Sequence, residues 1–364
     1  SDVYKRQDLL RRDEALYEGQ EFYACILDEA QAIKNHTTQK YKAVCKVRSR
    51  VRFALTGTPV ENRLGELWSI FSFLMPGYLP PYKSFCSRFE KPIVQEEDQT
   101  AVRRLNQLTG PFILRRMKSD VLKELPPKTE NVYRIELEEE QRKLYLAAVV
   151  DAREKLQAAK PEDKMAVFAV LMRLREICCD PRLIADNWEG GSAKLDACAE
   201  LVSSAVEGGH RILLFSQFTS MLELLAKRLD AEGISHFTLQ GSTPKPVRAE
   251  LVRRFNGGEV SVFLISLRAG GTGLNLTAAD IVIHYDPWWN VAAQNQATDR
   301  AYRIGQQNPV QVYKLIAQDT IEEKIVELQQ AKQSLADTVT GTADGAILSM
   351  RPDELLQLLE GSEP

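Results

Sequence analysis

Residues that bind metals or form disulfides are scarce in this sequence. It has six cysteines and four histidines among 364 residues. The cysteines are scattered and never stand in a C-x-x-C pair, which favours reduced thiols in a cytosolic compartment over zinc sites or disulfides. With so few imidazoles, a metal centre built on histidine is disfavoured.

Long apolar runs and a surplus of one charge are also missing. No run reaches the ~18 apolar residues that a membrane helix needs, and the first residues lack the apolar core of a signal peptide. The net charge is −3, from 47 basic and 50 acidic residues. Any contact with nucleic acid must therefore come from local basic patches. We expect no membrane partner and a cytoplasmic location.

The composition is that of an ordinary globular protein, 44% hydrophobic and 27% charged, with room for two cores. From Lys194 onward, short apolar runs alternate with helix-length segments, which predicts a parallel α/β sheet. The predicted strands are Ile212–Phe215, His236–Leu239, Val262–Ile265, Ile281–His284 and Val310–Ile316.

Small polar residues follow two of these strands, Ser216 and Gln217 after the first and Gly241, Ser242 and Thr243 after the second. Such residues are common turn material. They are also suitable donors to phosphate oxygens, and their recurrence along one sheet edge favours a nucleic-acid track.

A pair of acidic residues, Asp28 and Glu29, closes the apolar run Phe22–Leu27, which reads as a buried strand. Ligands of α/β sheets bind at the carboxyl ends of strands. One carboxylate there can hold Mg²⁺, and its neighbour can orient or deprotonate an attacking water. The alternative is that Asp28 only caps the next helix.

A second strand is predicted at Val51–Leu55, and it runs into the turn Thr56-Gly57-Thr58-Pro59. The spacing of about 25 residues after the acidic pair fits one helix and one strand of a parallel β-α-β unit. The turn hydroxyls could therefore lie beside the acidic pair. An ordinary Gly-Pro turn is the alternative.

The stretch from Ser266 to Gln306 joins a glycine-rich turn, a buried strand and an arginine-bearing segment. From Asn290 the pattern predicts a helix that carries Gln296, Asp299, Arg300 and Arg303 on one face. Two arginines one turn apart suit the spread charge of a transferring phosphoryl group. A solvated helix face with an Asp–Arg pair is the alternative reading.

Five of these segments together resemble the motifs of the Swi/Snf-type ATPases, a branch of the superfamily 2 helicases, and of their bacterial members in particular. They read DEAQAIKN, ALTGTP, FSQF, GGTGLN and QATDRAYRIGQ along the chain, and are similar to motifs II to VI. The last is especially specific to this branch. The acidic motif departs from the family at Gln31, where many relatives carry histidine.

The resemblance implies two RecA-like parallel-sheet lobes with ATP and Mg²⁺ as cofactors. It assigns Asp28 to magnesium, Glu29 to the attacking water, and Arg300 and Arg303 to the γ-phosphate. The remaining implied roles are nucleotide binding for Gln31, Gly271, Gly273 and Gln296, coupling for Thr56 and Thr58, and nucleic-acid contact for Ser216, Gln217, Gly241, Ser242, Thr243, Arg268 and Trp289. Of Trp288 and Trp289, one is expected in the core and one exposed.

The implied function is ATP-dependent translocation on double-stranded DNA rather than RNA, with remodelling of a DNA-bound protein or RNA polymerase. A strand-separating helicase and a non-hydrolysing nucleic-acid-binding module are the alternatives. No G-x-x-x-x-G-K-[ST] loop occurs in the chain, although one should precede motif II. We therefore expect that loop before Ser1, and expect this chain alone to be inactive.

Four regions are predicted along the chain. Residues 1–125 form part of the first lobe with a helical insertion at about 66–110, 126–191 a linker and helical protrusion, 192–335 the second lobe, and 336–364 a tail. Pro126-Pro127 marks the central boundary. Short strands are expected at Phe112–Leu114 and Asn131–Leu137, and a short helix on a mobile tail at Pro352–Leu359.

Overall fold

The computed structural model describes residues 19–57, 64–96, 98–114, 124–160, 163–185, 187–267, 274–329 and 352–360, with isolated residues at 10, 13, 17, 116, 122 and 269. The predicted site residues Thr58, Arg268, Gly271 and Gly273 lie outside the described residues. The chain divides into two compact units, here called unit 1 (residues 1–115 and 329–345) and unit 2 (residues 116–328 and 346–364). Among the described residues, none of the helices has the length and apolar character to cross a bilayer.

Unit 1 contains a parallel pair of strands, β1 (Glu21–Leu27) and β2 (Arg48–Ala54). A short 3-10 helix (Ala30–Ile33) and helix α1 (Gln39–Lys46) connect them. Helix α1 begins directly after Thr38, whose hydroxyl accepts a hydrogen bond from the Tyr41 backbone at 3.2 Å and so caps the helix. The two predicted strands are confirmed, and so is their parallel pairing.

Strand β1 is not a buried strand, as its apolar run suggested. Only Leu27 is buried, while Tyr23 is 76% and Ile26 64% exposed. Leu27 joins Val44 of α1 and Phe73 of helix α2 (Leu64–Leu74) in a small core on one face of the sheet. Successive side chains of a strand point to opposite faces, so Ile26 lies on the face opposite Leu27 and outside this core.

The insertion is helical, as predicted. It comprises helix α3 (Tyr82–Phe85), a π-helical stretch (Cys86–Glu90), α4 (Lys91–Gln95), α5 (Gln99–Thr109) and a 3-10 turn (Gly110–Phe112). The strand predicted at Phe112–Leu114 is wrong, because Phe112 belongs to the 3-10 turn Gly110–Phe112 and lies edge-on to Tyr78. Its apolar side chains are exposed and have no sheet to join.

Unit 2 is built on a six-stranded parallel sheet, which confirms the predicted fold class. Its strands are β3 (Lys128–Ile135), β4 (Ile212–Ser216), β5 (His236–Leu239), β6 (Val262–Ser266), β7 (Ile281–His284) and β8 (Val310–Ala317). The spatial order is β3-β8-β7-β4-β6-β5. β4, β6 and β7 are buried throughout, as apolar runs in a sheet covered on both faces should be.

The helices of unit 2 are α6 (Glu139–Ala158), α7 (Lys164–Cys179), α8 (Ala193–Glu207), α9 (Thr219–Ala231), α10 (Lys245–Asn256), α11 (Val291–Thr298), a helical segment at 321–329, and α12 (Pro352–Glu360). Strand β3, predicted in the 126–191 linker, pairs with β8 along its whole length.

Helix α12 forms where it was predicted, but it is packed rather than loose. Leu355 and Leu359 are fully buried in one apolar cluster with residues of α6 and α7. Arg153 of α6 donates from Nη2 to the Leu359 carbonyl at 2.7 Å, at the end of α12 where carbonyls lack helical partners.

Candidate functional site

The acidic pair lies at the carboxyl end of β1. Asp28 and Glu29 are both exposed, and Glu29 has a left-handed backbone with φ 51° and ψ 52°. A non-glycine residue there is uncommon and is typical of functional turns. Asp28 Oδ1 accepts from the Glu29 backbone at 2.9 Å. The N-cap of the following helix is Glu29, so Asp28 is not its cap.

A chain of hydrogen bonds joins this pair to the end of β2. Thr56 Oγ1 donates to Gln31 Oε1 at 2.7 Å, and Gln31 Nε2 donates to Glu29 Oε2 at 2.5 Å. The Ala30 backbone also donates to the Leu55 carbonyl at 2.9 Å. The structure therefore brings Glu29, Gln31 and Thr56 together. Glutamine, with one acceptor and one donor, can bridge a hydroxyl and a carboxylate at once.

The donor set at this strand end fits Mg²⁺. That ion takes hard oxygen ligands, usually one or two carboxylates completed by water and substrate phosphates. Asp28 and Glu29 supply exposed carboxylates on adjacent residues.

The arginine segment departs from the predicted single helix. Asn290 caps α11 by accepting from the Ala293 backbone at 2.6 Å, but the helix ends at Thr298. Asp299, Arg300 and Arg303 therefore lie on turns beyond it, and the expectation that they share one helical face with Gln296 is wrong. Helix-forming periodicity is overridden by backbone contacts to the preceding loop, such as Leu276 N to Arg300 O at 3.0 Å.

The two arginines have different surroundings. Arg300 is only 4% exposed, whereas Arg303 is exposed and donates from Nη1 to the Leu274 carbonyl at 3.3 Å. Leu274 directly follows the glycine-rich turn in sequence. Gln306 closes the segment, because its buried amide donates to the Ala279 and Ala301 carbonyls at 2.7 and 3.1 Å. Gln296, on α11, is half-buried.

His284, at the end of β7, contacts the last residue of α11. Its Nε2 lies 2.9 Å from Thr298 Oγ1, and its ring stacks on Phe215 at 5.6 Å between centroids. The side chain is 1% exposed. Burial, and secondarily the charge of Lys314, lower the pKa of His284 to about 3. The ring is therefore neutral at physiological pH.

The predicted nucleic-acid track follows the strand ends of unit 2. Gly241 and Ser242 are exposed, Thr243 and Gln217 half-buried. Ser216 is fully buried, and its hydroxyl donates to Asp286 Oδ1 at 2.6 Å, so in this structure it belongs to an internal network. Trp289 is likewise buried, at 6% exposure, and Trp288 is half-buried.

Sequence reasoning missed the other members of that network, Asp286 and Arg175. Both are fully buried, with Arg175 Nη2 3.2 Å from Asp286 Oδ2. A usable signal was present for each. Asp286 lies just beyond the carboxyl end of a predicted strand, as Asp28 does. Arg175 falls on the apolar stripe of α7 with Leu171, Leu174 and Cys178, where a charge is out of place.

Comparison with known proteins identifies the family. Residues 5–183 match the SNF2-related domain, and residues 193–305 match the helicase conserved C-terminal domain. The SWI2/SNF2 ATPase core domain of Sulfolobus solfataricus is 35% identical with a TM-score of 0.56, over 99% of this chain and 77% of that one. The chain belongs to the Swi/Snf ATPase family.

Two further relatives set the context of this Swi/Snf chain. The Sulfolobus solfataricus SWI2/SNF2 ATPase core in complex with double-stranded DNA is 35% identical with a TM-score of 0.52, over 92% of this chain and 72% of that one. A Mycoplasma pneumoniae protein with the name "Uncharacterized ATP-dependent helicase" is 40% identical over 97% of this chain and 34% of its own length. The chain thus spans about a third of the curated relatives it matches.

Proposed function

We propose that this Swi/Snf chain is the motor part of an ATP-dependent translocase on double-stranded DNA. The observation that carries the proposal is the hydrogen-bonded chain from Glu29 through Gln31 to Thr56, because it ties a candidate catalytic carboxylate to the neighbouring strand end. A related core has been solved with double-stranded DNA at 35% identity, which supports duplex DNA as the track.

In this proposal Asp28 holds Mg²⁺, which when bound neutralises the charge that develops on the phosphates. The Glu29 carboxylate orients the attacking water and accepts its proton. Arg300 and Arg303 donate hydrogen bonds to γ-phosphate oxygens, as planar guanidinium groups do well. Gln31, Gln296, Gly271 and Gly273 contact the nucleotide, and Thr56 and Thr58 couple its state to the track.

The track consists of Gln217, Gly241, Ser242, Thr243 and Arg268, whose hydroxyl, amide, backbone and guanidinium donors suit phosphate oxygens. Such contacts read no sequence, as a translocase requires. The target remodelled in the cytoplasm, or at a bacterial nucleoid, is a DNA-bound protein or RNA polymerase.

The test is Glu29→Gln in a protein that carries this chain together with a phosphate-binding loop. Loss of the base should reduce DNA-stimulated phosphate release by about 10²-fold or more, while a fluorescent ATP analogue binds as before. Glu21→Gln is the matched control, because Glu21 starts the same strand, is exposed, and pairs only with Arg50 at 3.5 Å among the described residues.

Near-normal turnover in Glu29→Gln would mean that Glu29 is structural. Release of a labelled strand from a forked duplex by the unmodified protein would point to a strand-separating helicase. DNA binding without any ATP hydrolysis would leave a binding module.

A further inference from the structure

Arg175 is a buried cation in an unusual position. It lies on α7, is 0% exposed, and pairs with Asp286, which is also 0% exposed. Its Nε and Nη1 find no hydrogen-bond partner among the described residues. Buried ion pairs rarely stabilise a fold more than apolar residues of the same volume, and unsatisfied buried donors cost free energy. Stability alone is therefore a poor reason for an arginine here.

Arg175 contacts residues that follow two different strands, β7 and β4. Its Nη2 donates to the Pro287 carbonyl at 2.6 Å, and its guanidinium lies 4.2 Å from the Trp289 ring and 5.5 Å from the Phe218 ring. Phe218 belongs to the apolar core behind β4, and Trp289 to the cluster of α6, α7 and α12. Arg175 thus joins two clusters across the carboxyl edge of the sheet.

Asp286 connects Arg175 to the turn after β4, which belongs to the predicted nucleic-acid track. Its Oδ1 accepts from Ser216 Oγ at 2.6 Å and from the Gln217 backbone at 3.2 Å. The Phe218 backbone in turn donates to Ser216 Oγ at 3.1 Å. One carboxylate therefore binds both the Ser216 hydroxyl and the Gln217 backbone of this turn, and Arg175 contacts the other oxygen of that carboxylate.

We propose that Arg175 is a positioning residue that, from its place against Asp286 and the buried Trp289 ring, holds the Gln217 turn in the arrangement that contacts DNA. This inference rests on the proposed function, since it assumes that the strand ends form a DNA track. Arg175 does not touch DNA. Burial raises the pKa of Asp286 while the arginine opposes that rise, so loss of the guanidinium would also favour a protonated, more weakly accepting Asp286.

The experiment compares Arg175→Met, Arg175→Lys and the double variant Arg175→Met/Asp286→Leu in a protein that also carries a phosphate-binding loop. Arg173→Met is the matched control, because Arg173 lies on the same helix and is exposed. Three quantities are measured: amide hydrogen exchange across residues 216–218 and 286–289, the concentration of a 30-base-pair duplex that half-stimulates ATP hydrolysis, and the affinity for a fluorescent ATP analogue.

We expect Arg175→Met to speed exchange at Gln217 and Phe218 and to raise the half-stimulating DNA concentration, each by about tenfold, the scale of one hydrogen bond to a charged group. Nucleotide affinity should stay unchanged. Arg175→Lys should recover part of both effects, since an ammonium keeps the charge but not the planar fork. Arg173→Met should behave like the unmodified protein.

The double variant decides between positioning and simple stability. Replacement of both charges by apolar groups should restore the melting temperature. The Gln217 backbone still lacks its carboxylate acceptor in this variant, so DNA stimulation should stay weak. Full recovery of DNA stimulation in the double variant would overturn the proposal, and so would unchanged exchange at Gln217 in Arg175→Met.

If Arg175→Met fails to fold, the double variant and Arg175→Lys give the same decision. An unmodified protein that ignores DNA would overturn the proposed function alone, because the exchange measurement does not use DNA.

Discussion

At the scale of single residues, Arg303 and Arg300 differ in their exposure to solvent. Arg303 is exposed, while Arg300 is only 4% exposed. If Arg303 acts on charge that develops at the γ-phosphate, Arg303→Ala should slow single-turnover hydrolysis by about 10³-fold, the scale of an arginine finger. Arg303→Lys should rescue poorly, because an ammonium cannot span two oxygens with a planar fork.

Nucleotide and duplex-DNA titrations on Arg303→Ala complete this test, and both affinities should persist. Arg228→Ala is its control, since Arg228 makes surface ion pairs with Asp196 and Glu232. Loss of DNA binding with hydrolysis intact would place Arg303 on the DNA track instead.

His284 predicts a pH dependence of stability. Its folded pKa is about 3, below the ordinary value of ~6.5, so the unfolded chain binds the proton more readily between these values. The free energy of unfolding should therefore fall as pH falls from about 6.5 toward 3, by up to about 1.4 kcal/mol per pH unit from this group. Urea unfolding at pH 6.5 and 5 should show a difference of about 2 kcal/mol that shrinks in His284→Gln. An equal slope in the variant would contradict this.

At the scale of elements, α12 behaves as part of the core of unit 2. Leu355 is 0% exposed among residues of α6 and α7. Leu355→Ala should lower the free energy of unfolding by about 2–5 kcal/mol, since it leaves a cavity in a packed core. The neighbouring Leu356 is half-buried, and Leu356→Ala should cost clearly less. Chemical denaturation of both variants checks this, and equal small losses would mean that α12 is a loose tail.

At the scale of the whole molecule, one sequence motif that ATP-hydrolysing motors use is absent from this chain. No G-x-x-x-x-G-K-[ST] sequence occurs among its 364 residues, and such a loop supplies the backbone cradle and lysine for the phosphates. We therefore expect the isolated chain to release phosphate from ATP no faster than background, with or without duplex DNA. A malachite-green assay of the purified chain measures it, and DNA-stimulated turnover would contradict the prediction.

How much could be predicted from sequence depended on how local the determining forces are. The strand at Ile281–His284 was predicted to the residue, because a short apolar run in a sheet covered on both faces can be recognised without knowledge of its neighbours. The family was also determined by the sequence, since its motifs are contiguous. Helix α11 began as predicted, because Asn290 caps it within one turn.

Tertiary contacts decided the rest. The end of α11 at Thr298 depends on a backbone bond between Leu276 and Arg300, which lie far apart in sequence. Ser216 and Trp289 contact Asp286 and Arg175 respectively, and those two residues pair although they lie 111 residues apart along the chain. The hydrogen bond from Thr56 to Gln31 spans 25 residues and exists only because β1 and β2 pair in parallel. The sequence by itself determined the family motifs and where local helices and strands form. Only the folded chain decided which polar groups meet, because a buried donor or acceptor takes whatever partner packing brings within about 3 Å.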